Sequence, residues 1–212
     1  MNRFFAGAVL ALSVLVGCGG DDDSPGNGNT GGGTQQTCSA SNCTGCCFNN
    51  VCQTGNTASA CGKAGAACMA CGSSQVCKTY QTCGVDPNSV WRVQPVSARI
   101  ASSDNGTYWD GDDSAPDVVV TMQCPGSTTY TATPEVESYT PAWTTGGCTA
   151  KASQLLAEPW VFQLWDIDVS SNDTITGVLA LRITEEFLTG GSVTLNASGG
   201  MTSMTVQLQK QP

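Results

Sequence analysis

Ten of the thirteen cysteines in this 212-residue chain fall between Cys38 and Cys83. They are Cys38, Cys43, Cys46, Cys47, Cys52, Cys61, Cys68, Cys71, Cys77 and Cys83, separated mostly by Gly, Ala, Ser, Thr and Asn. Phe48, Val51, Met69, Val76 and Tyr80 are the only bulky apolar side chains there. A segment so poor in apolar surface cannot fold on a hydrophobic core, so disulfides have to staple it. All ten cysteines can pair; spacing does not reveal the connectivity, and the adjacent Cys46 and Cys47 are expected to take different partners. Cys43 to Cys46 and Cys68 to Cys71 have the CxxC spacing of zinc ribbons and thiol redox sites. Six further cysteines in the same segment, in an exported chain, argue against zinc. No βαβ scaffold is visible that would lower a thiol pKa for redox work. Residues 38–87 are expected to form a small disulfide-rich module, acting as a stiff spacer or an interaction module.

The evidence for export lies upstream. Arg3 precedes an apolar run from Ala6 to Val16 that is too short to span a bilayer as a helix. It ends in Leu15-Val16-Gly17-Cys18, which resembles the lipobox of bacterial lipoproteins. The resemblance implies that residues 1–17 are a signal peptide cleaved after Gly17, and that Cys18 is lipidated and anchors the protein to a membrane. Residues 18–37, rich in Gly, Asn, Asp, Ser and Thr, cannot bury a core. They are expected to be a disordered tether with a root-mean-square reach of roughly 25 Å. Gly19, not aspartate, follows the anchor cysteine, which makes the outer membrane the expected place in the cell envelope.

Charge excludes one class of partner, and the lack of histidine most of another. The net charge is −9 with eight Lys and Arg, so nucleic acid, whose binding rests on neutralising phosphates, is not an expected partner. The chain has no histidine, no phosphate-cradling glycine loop after a strand and no serine in a nucleophile elbow, so no enzymatic activity is expected.

From about Asn88 the texture changes. Segments Val90 to Ile100, Asp117 to Cys124, Thr128 to Val136, Trp160 to Asp166, Thr174 to Ile183, Ser192 to Asn196 and Thr202 to Gln209 are rich in Val, Ile, Thr and aromatics, and are broken by Gly, Pro, Asn and Asp. Trp160, Phe162 and Leu164 alternate with Val161, Gln163 and Trp165. Period two at this spacing predicts an antiparallel β-sandwich over residues 88–212, long enough for one core.

Within it, the loop from Trp165 to Asp173 crowds Asp166, Asp168 and Asp173 together with Ser170, Ser171 and Asn172. Like charges at this density call for a cation, and an all-oxygen donor set without histidine suits calcium better than magnesium or zinc. Three motifs in order then resemble a C2 domain. Ser114-Ala115-Pro116-Asp117-Val118-Val119-Val120 is similar to the family's "DPYV" strand, Thr140-Pro141-Ala142-Trp143 to its "NPxW" turn, and Trp165-Asp166-Ile167-Asp168 with Asp173-Thr174-Ile175-Thr176-Gly177 to its "DxD…DxxG" calcium loop. The resemblance, over about Val90 to Gln209, implies an all-β, C2-like antiparallel β-sandwich. It also implies calcium ligands: Asp110 and Asp117 from one loop, Asp166, Asp168 and Asp173 from the other, with Asp112, Asp113 and Ser171 as extra ligands. Asp110 and Asp117 stand one residue farther apart than is usual in the family, and Thr140 replaces asparagine.

Cys124 and Cys148, an even pair in an exported domain, are expected to form a disulfide. Among the tryptophans, Trp143 and Trp160 are expected in the core and Trp109, beside Asp110, at the surface. Two readings follow. In one, the protein is a membrane-anchored calcium-binding module whose loops engage lipid, polysaccharide or a partner protein. In the other, it is a structural or adhesive envelope lipoprotein with incidental acidic loops.

Overall fold

Cross-links take the place of a core at the N-terminal end. In the computed structural model, which describes residues 36–104, 106–111, 113–169 and 171–212, all ten clustered cysteines are paired. The bonds are Cys38–Cys47, Cys43–Cys52, Cys46–Cys68, Cys61–Cys77 and Cys71–Cys83. Cys46 and Cys47 do take different partners. The sulfurs of Cys38, Cys43 and Cys52 lie within 4.8 Å of one another, as do those of Cys61, Cys71 and Cys83; every one is oxidised, so neither trio offers thiolates to zinc. Three hairpins fill the module: β1 (Cys46–Phe48) with β2 (Val51–Gln53), β3 (Asn56–Thr57) with β4 (Ala60–Cys61), and β5 (Gln75–Cys77) with β6 (Cys83–Val85). The first turns through Asn49 and Asn50, both at positive φ (48° and 62°), the backbone a two-residue hairpin loop requires and asparagine tolerates. The expected signal peptide, nearly all of the tether, its anchor Cys18, and Asp112 lie outside the described residues.

Strand alternation builds the rest. The strands are β7 (Val90–Ile100), β8 (Asp117–Gln123), β9 (Tyr130–Ala132), β10 (Val136–Glu137), β11 (Cys148–Lys151), β12 (Trp160–Asp166), β13 (Asp173–Thr174), β14 (Leu179–Leu181), β15 (Ser192–Ser198) and β16 (Met201–Lys210). One sheet runs β10-β8-β12-β13, with β9 beside β8 and β14 beside β12; the other runs β11-β7-β16-β15, and all pairings are antiparallel. In β8 and β12 every second residue is buried, so Val118, Val120 and Met122 with Trp160, Phe162 and Leu164 meet Trp91, Val93, Met204, Val206 and Leu208 of the facing sheet. Trp160 and Phe162 stack with ring centroids 4.3 Å apart. The result is an all-β sandwich of two antiparallel sheets.

Three departures from the expected strands have local causes. The segment Thr128 to Val136 breaks at Pro134, which has no N–H for a ladder. Just before it, Thr133 binds Val120 twice, its N–H donating to the carbonyl and its hydroxyl accepting from the amide. Thr174 to Ile183 splits into β13 and β14, which pair with opposite ends of β12. Two short helices not expected from the sequence stand between the expected strands, α1 (Ala152–Ala157) and α2 (Glu185–Gly190). Thr184 caps α2 by accepting from the Phe187 amide, and Gly191, at φ 76°, closes it in the left-handed conformation.

Thr37–Pro212 is one compact unit, and α2 is part of the reason. Glu185 pairs with Lys78 of the module through one carboxylate oxygen and accepts the Val85 amide at 3.1 Å through the other. Ala152 and Ser153 donate to the carbonyls of Ser89 and Pro87 at 2.8 and 3.0 Å, tying the start of α1 to the segment that enters β7. The disulfide Cys124–Cys148 joins the end of β8 to the start of β11, linking the two sheets.

Candidate metal centre

Antiparallel pairing fixes where the aspartates meet. β8 begins at Asp117 and β12 ends at Asp166, so antiparallel register brings them to the same end: Asp166 is the partner of Val118, and the Asp117 amide donates to Asp166 Oδ1 at 2.7 Å. Asp166 is also the register partner of Asp173 in β13. Asp117 in turn accepts the Ile167 amide through its backbone carbonyl at 3.0 Å, which pins the start of the second loop against the end of the first. Asp168 follows two residues on, with its amide held by the Asn172 side chain at 3.2 Å.

The first loop is shaped from beneath by a tryptophan. Trp109, expected at the surface, is instead buried, at 6% exposed. Its Nε1 donates to the Ala101 carbonyl at 2.8 Å, and its ring lies over Gly200, where a Cβ would come within 2.5 Å of it. Glycine is required there for close approach and at Gly199, which turns the β15–β16 hairpin at φ 57°. Burying Trp109 under the loop sets the position of Asp110, its neighbour.

Asp166 is fully buried at the base of this cluster. Burial pushes its carboxyl up from 3.8 to about 6; the Asp117 amide opposes the rise, and the charges of Asp110, Asp168 and Asp117 add to it. The Asp168 carboxyl is also raised, by desolvation first, then by Asp110 and Asp173, a side-chain hydrogen bond with Asp110, and Asp117. Carboxylates from both loops therefore act on one another within a single cluster. Asp110 Oδ2 and Asp166 Oδ2 are both sealed from solvent and have no hydrogen-bond partner. Two orphaned anionic oxygens among further carboxylates are costly unless a cation is brought to them; among the described residues, no three of these carboxylates bring oxygens within 4.8 Å of one another, so the loops would have to draw in around an ion. The donor set is all oxygen, which fits calcium in chemistry.

The remaining expected ligands are placed differently. Asp113 is exposed at φ 65°, with its amide on the Asp110 carbonyl at 3.2 Å, and its charge is not among those acting on Asp166 or Asp168. Ser171 is exposed. Asp173 is exposed as well, though it pairs in register with Asp166 and its charge acts on Asp168. Two exposed apolar side chains flank the cluster, Tyr108 before Asp110 and Val169 after Asp168. Neither was singled out from the sequence, where Trp109 stands nearer to Asp110 than Tyr108 does and Ile167 as near to Asp168 as Val169 does.

No protein-family model matches the chain, and no curated protein matches it. Among solved structures it is similar to a single C2 domain of a plant extended synaptotagmin 1, at 13% identity and a TM-score of 0.42, over 60% of this chain and 98% of that one. It is similar to a further C2 domain at 16% identity and a TM-score of 0.42, over 58% and 99% of the two chains. A calcium-bound structure of the two tandem C2 domains of extended synaptotagmin 2 is 15% identical with a TM-score of 0.43, over 59% of this chain and 46% of that one.

Proposed function

We propose that this protein is a membrane-anchored, calcium-dependent binding module of the cell envelope. Asp110, Asp117, Asp166, Asp168 and Asp173 would hold the ion, and the loops it orders would engage a lipid surface. One observation carries the reading: Asp110 Oδ2 and Asp166 Oδ2, contributed by different loops, are both buried and both without a partner. Bound calcium supplies positive charge that offsets the mutual repulsion of the carboxylates and offers a coordination site to an anionic headgroup. Tyr108 and Val169 are exposed beside the cluster, and such apolar side chains on a loop rim favour the interfacial zone of a bilayer. Arg3 and the segment Leu15 to Cys18 support lipidation of Cys18, and Gly19 supports the outer membrane as its location.

Calorimetric titration of calcium into the full chain tests the site. Heat is expected for the parent with a dissociation constant of roughly 10⁻⁴ to 10⁻³ M, and none for the Asp166→Asn, Asp168→Asn double variant. Sedimentation with phosphatidylserine vesicles tests the surface: binding should need calcium and should fall in Tyr108→Ser and Val169→Ser variants. Calcium heat without vesicle binding would retain the ion site and reject the lipid partner.

A further inference from the structure

One sheet edge is left long and unguarded. β15 ends the sheet β11-β7-β16-β15 and runs seven residues, Ser192–Ser198, whereas the other edge strands, β9, β10, β11, β13 and β14, have two to four. Edges of this length are usually blunted by lysine, by proline or by a bulge. β15 carries no charge and no proline, and it holds one register with β16 from the Ser192–Gln207 pair to the Ser198–Met201 pair.

The hairpin fixes which backbone groups of β15 are free. Ser198 and Met201 flank the two-residue loop Gly199-Gly200 and form the hydrogen-bonded pair that closes it. Counting back by twos, Asn196, Thr194 and Ser192 exchange their bonds with β16, and Val193, Leu195 and Ala197 turn amide and carbonyl to the open edge. Among the described residues, no backbone hydrogen bond outside the ladder with β16 reaches those groups. Val193 and Leu195 lie half-buried against the core, and Leu195 lines, with Phe162, Leu179, Leu181 and Met201, an apolar slot of about 200 Å³ that opens between β15 and β14.

We propose that β15 pairs with β15 of a second copy of this chain, antiparallel about a twofold axis through Leu195. Ser192-Val193-Thr194-Leu195-Asn196-Ala197-Ser198 alternates polar and apolar residues symmetrically about its middle. Antiparallel pairing therefore sets Leu195 of one copy beside Leu195 of the other, Val193 beside Ala197 and Thr194 beside Asn196, and every outward amide and carbonyl of Val193, Leu195 and Ala197 meets its complement. The apolar side chains cover the mouth of the slot and leave water. Charge favours the same arrangement. On the facing edge, Asp173 stands opposite Asp166 at one end and Leu181 opposite Trp160 at the other, with exposed Arg182 next; the one ion pair among the described residues is Lys78 with Glu185. Phe162, between those ends of β12, lines the slot with Leu195, so the axis exchanges the two ends and turns Arg182 of one copy toward Asp173 of the other. Such a contact is isologous, so it closes as a dimer and does not grow into a filament.

Sedimentation equilibrium on the full chain, with amide-resolved hydrogen exchange by NMR, tests this. A joint one strand wide is small for a protein interface, so a monomer–dimer equilibrium with a dissociation constant of roughly 10⁻⁵ to 10⁻⁴ M is expected. Exchange at the Val193, Leu195 and Ala197 amides should slow about three- to fivefold between ~10 and ~500 μM protein, the change in monomer fraction over that range. The Thr194 and Asn196 amides, already bonded to β16, should change little. Ala197→Pro deletes an outward amide that β16 does not use, and Ala197→Lys places a charge at an exposed edge position; each should keep the fold and weaken dimerisation about tenfold or more. The proposal is overturned if the chain stays monomeric at ~500 μM, if it dimerises with exchange at those three amides unchanged, or if the folded Ala197→Lys variant dimerises as tightly as the parent.

Discussion

Replacing Asp166 by asparagine should make the calcium-free protein more stable while removing its response to calcium. In the folded chain the Asp166 carboxylate is buried, and its pKa is raised from 3.8 to about 6. At neutral pH the group is therefore ionised at a cost, because folding favours its protonated form. The span between those two values corresponds to about 3 kcal/mol at full strength, and screening by water at the loop mouth reduces it to about 1 to 2 kcal/mol. Asparagine is nearly isosteric; its Oδ1 can still accept the Asp117 amide held at 2.7 Å, and its amide nitrogen replaces the orphaned Oδ2 with a donor among carboxylates. The variant should melt higher than the parent in chelator by roughly 2 to 8 °C for a chain of this size. Calcium at about 10 mM should raise the parent's stability by about 1.4 to 2.7 kcal/mol, for a dissociation constant roughly 10- to 100-fold below that concentration, and should leave the variant unmoved. Differential scanning calorimetry in chelator and in calcium reads both shifts. A variant that melts well below the parent in chelator, or that gains as much from calcium, would refute the electrostatic reasoning.

The same shift sets a pH dependence. The raised carboxyl carries no penalty below about pH 4, and the penalty grows as pH rises through about 6, so the calcium-free protein should lose stability over that window and calcium should stabilise more at pH 7 than at about pH 4.5. Glu185 titrates in the opposite sense: its hydrogen bond with Lys78 holds its carboxyl below the usual value, so docking of the module on α2 should weaken only as pH falls below the ordinary glutamate range. Glu185→Ala should speed hydrogen exchange at the Val85 amide more than Lys78→Ala does, since only the first removes that amide's acceptor; the exposed pair itself is worth at most about 1 kcal/mol. Removing Cys124–Cys148 as a serine pair should cost roughly 3 kcal/mol in denaturant unfolding, from a sequence separation of 24 residues. Gly200→Ala should push Trp109 from its seat and weaken calcium binding without touching a ligand, read as a change in tryptophan fluorescence together with the titration heat.

The long strands were legible because their alternation is long enough to read: Val90–Ile100 and Trp160–Asp166 stand where the pattern put them. The acidic cluster was legible for a related reason, since register alone brings the end of one strand beside the start of its antiparallel partner. What escaped was short or distant. Six-residue helices such as Ala152–Ala157 and Glu185–Gly190 hold too few residues for a 3.6-residue period to show. Trp109 next to an aspartate reads as a surface residue, and only the absence of a side chain at Gly200, far along the chain, reveals the slot that buries it. The contact between Lys78 and Glu185 spans 107 residues, and nothing in either neighbourhood announces it.

The most direct measurement is a crystal structure of the protein grown in calcium. An ion roughly 2.3 to 2.6 Å from carboxylate oxygens of Asp110, Asp166 and Asp168, the separation expected for calcium, is the predicted result. Those side chains turned outward to water, with no ion between them at saturating calcium, would contradict it.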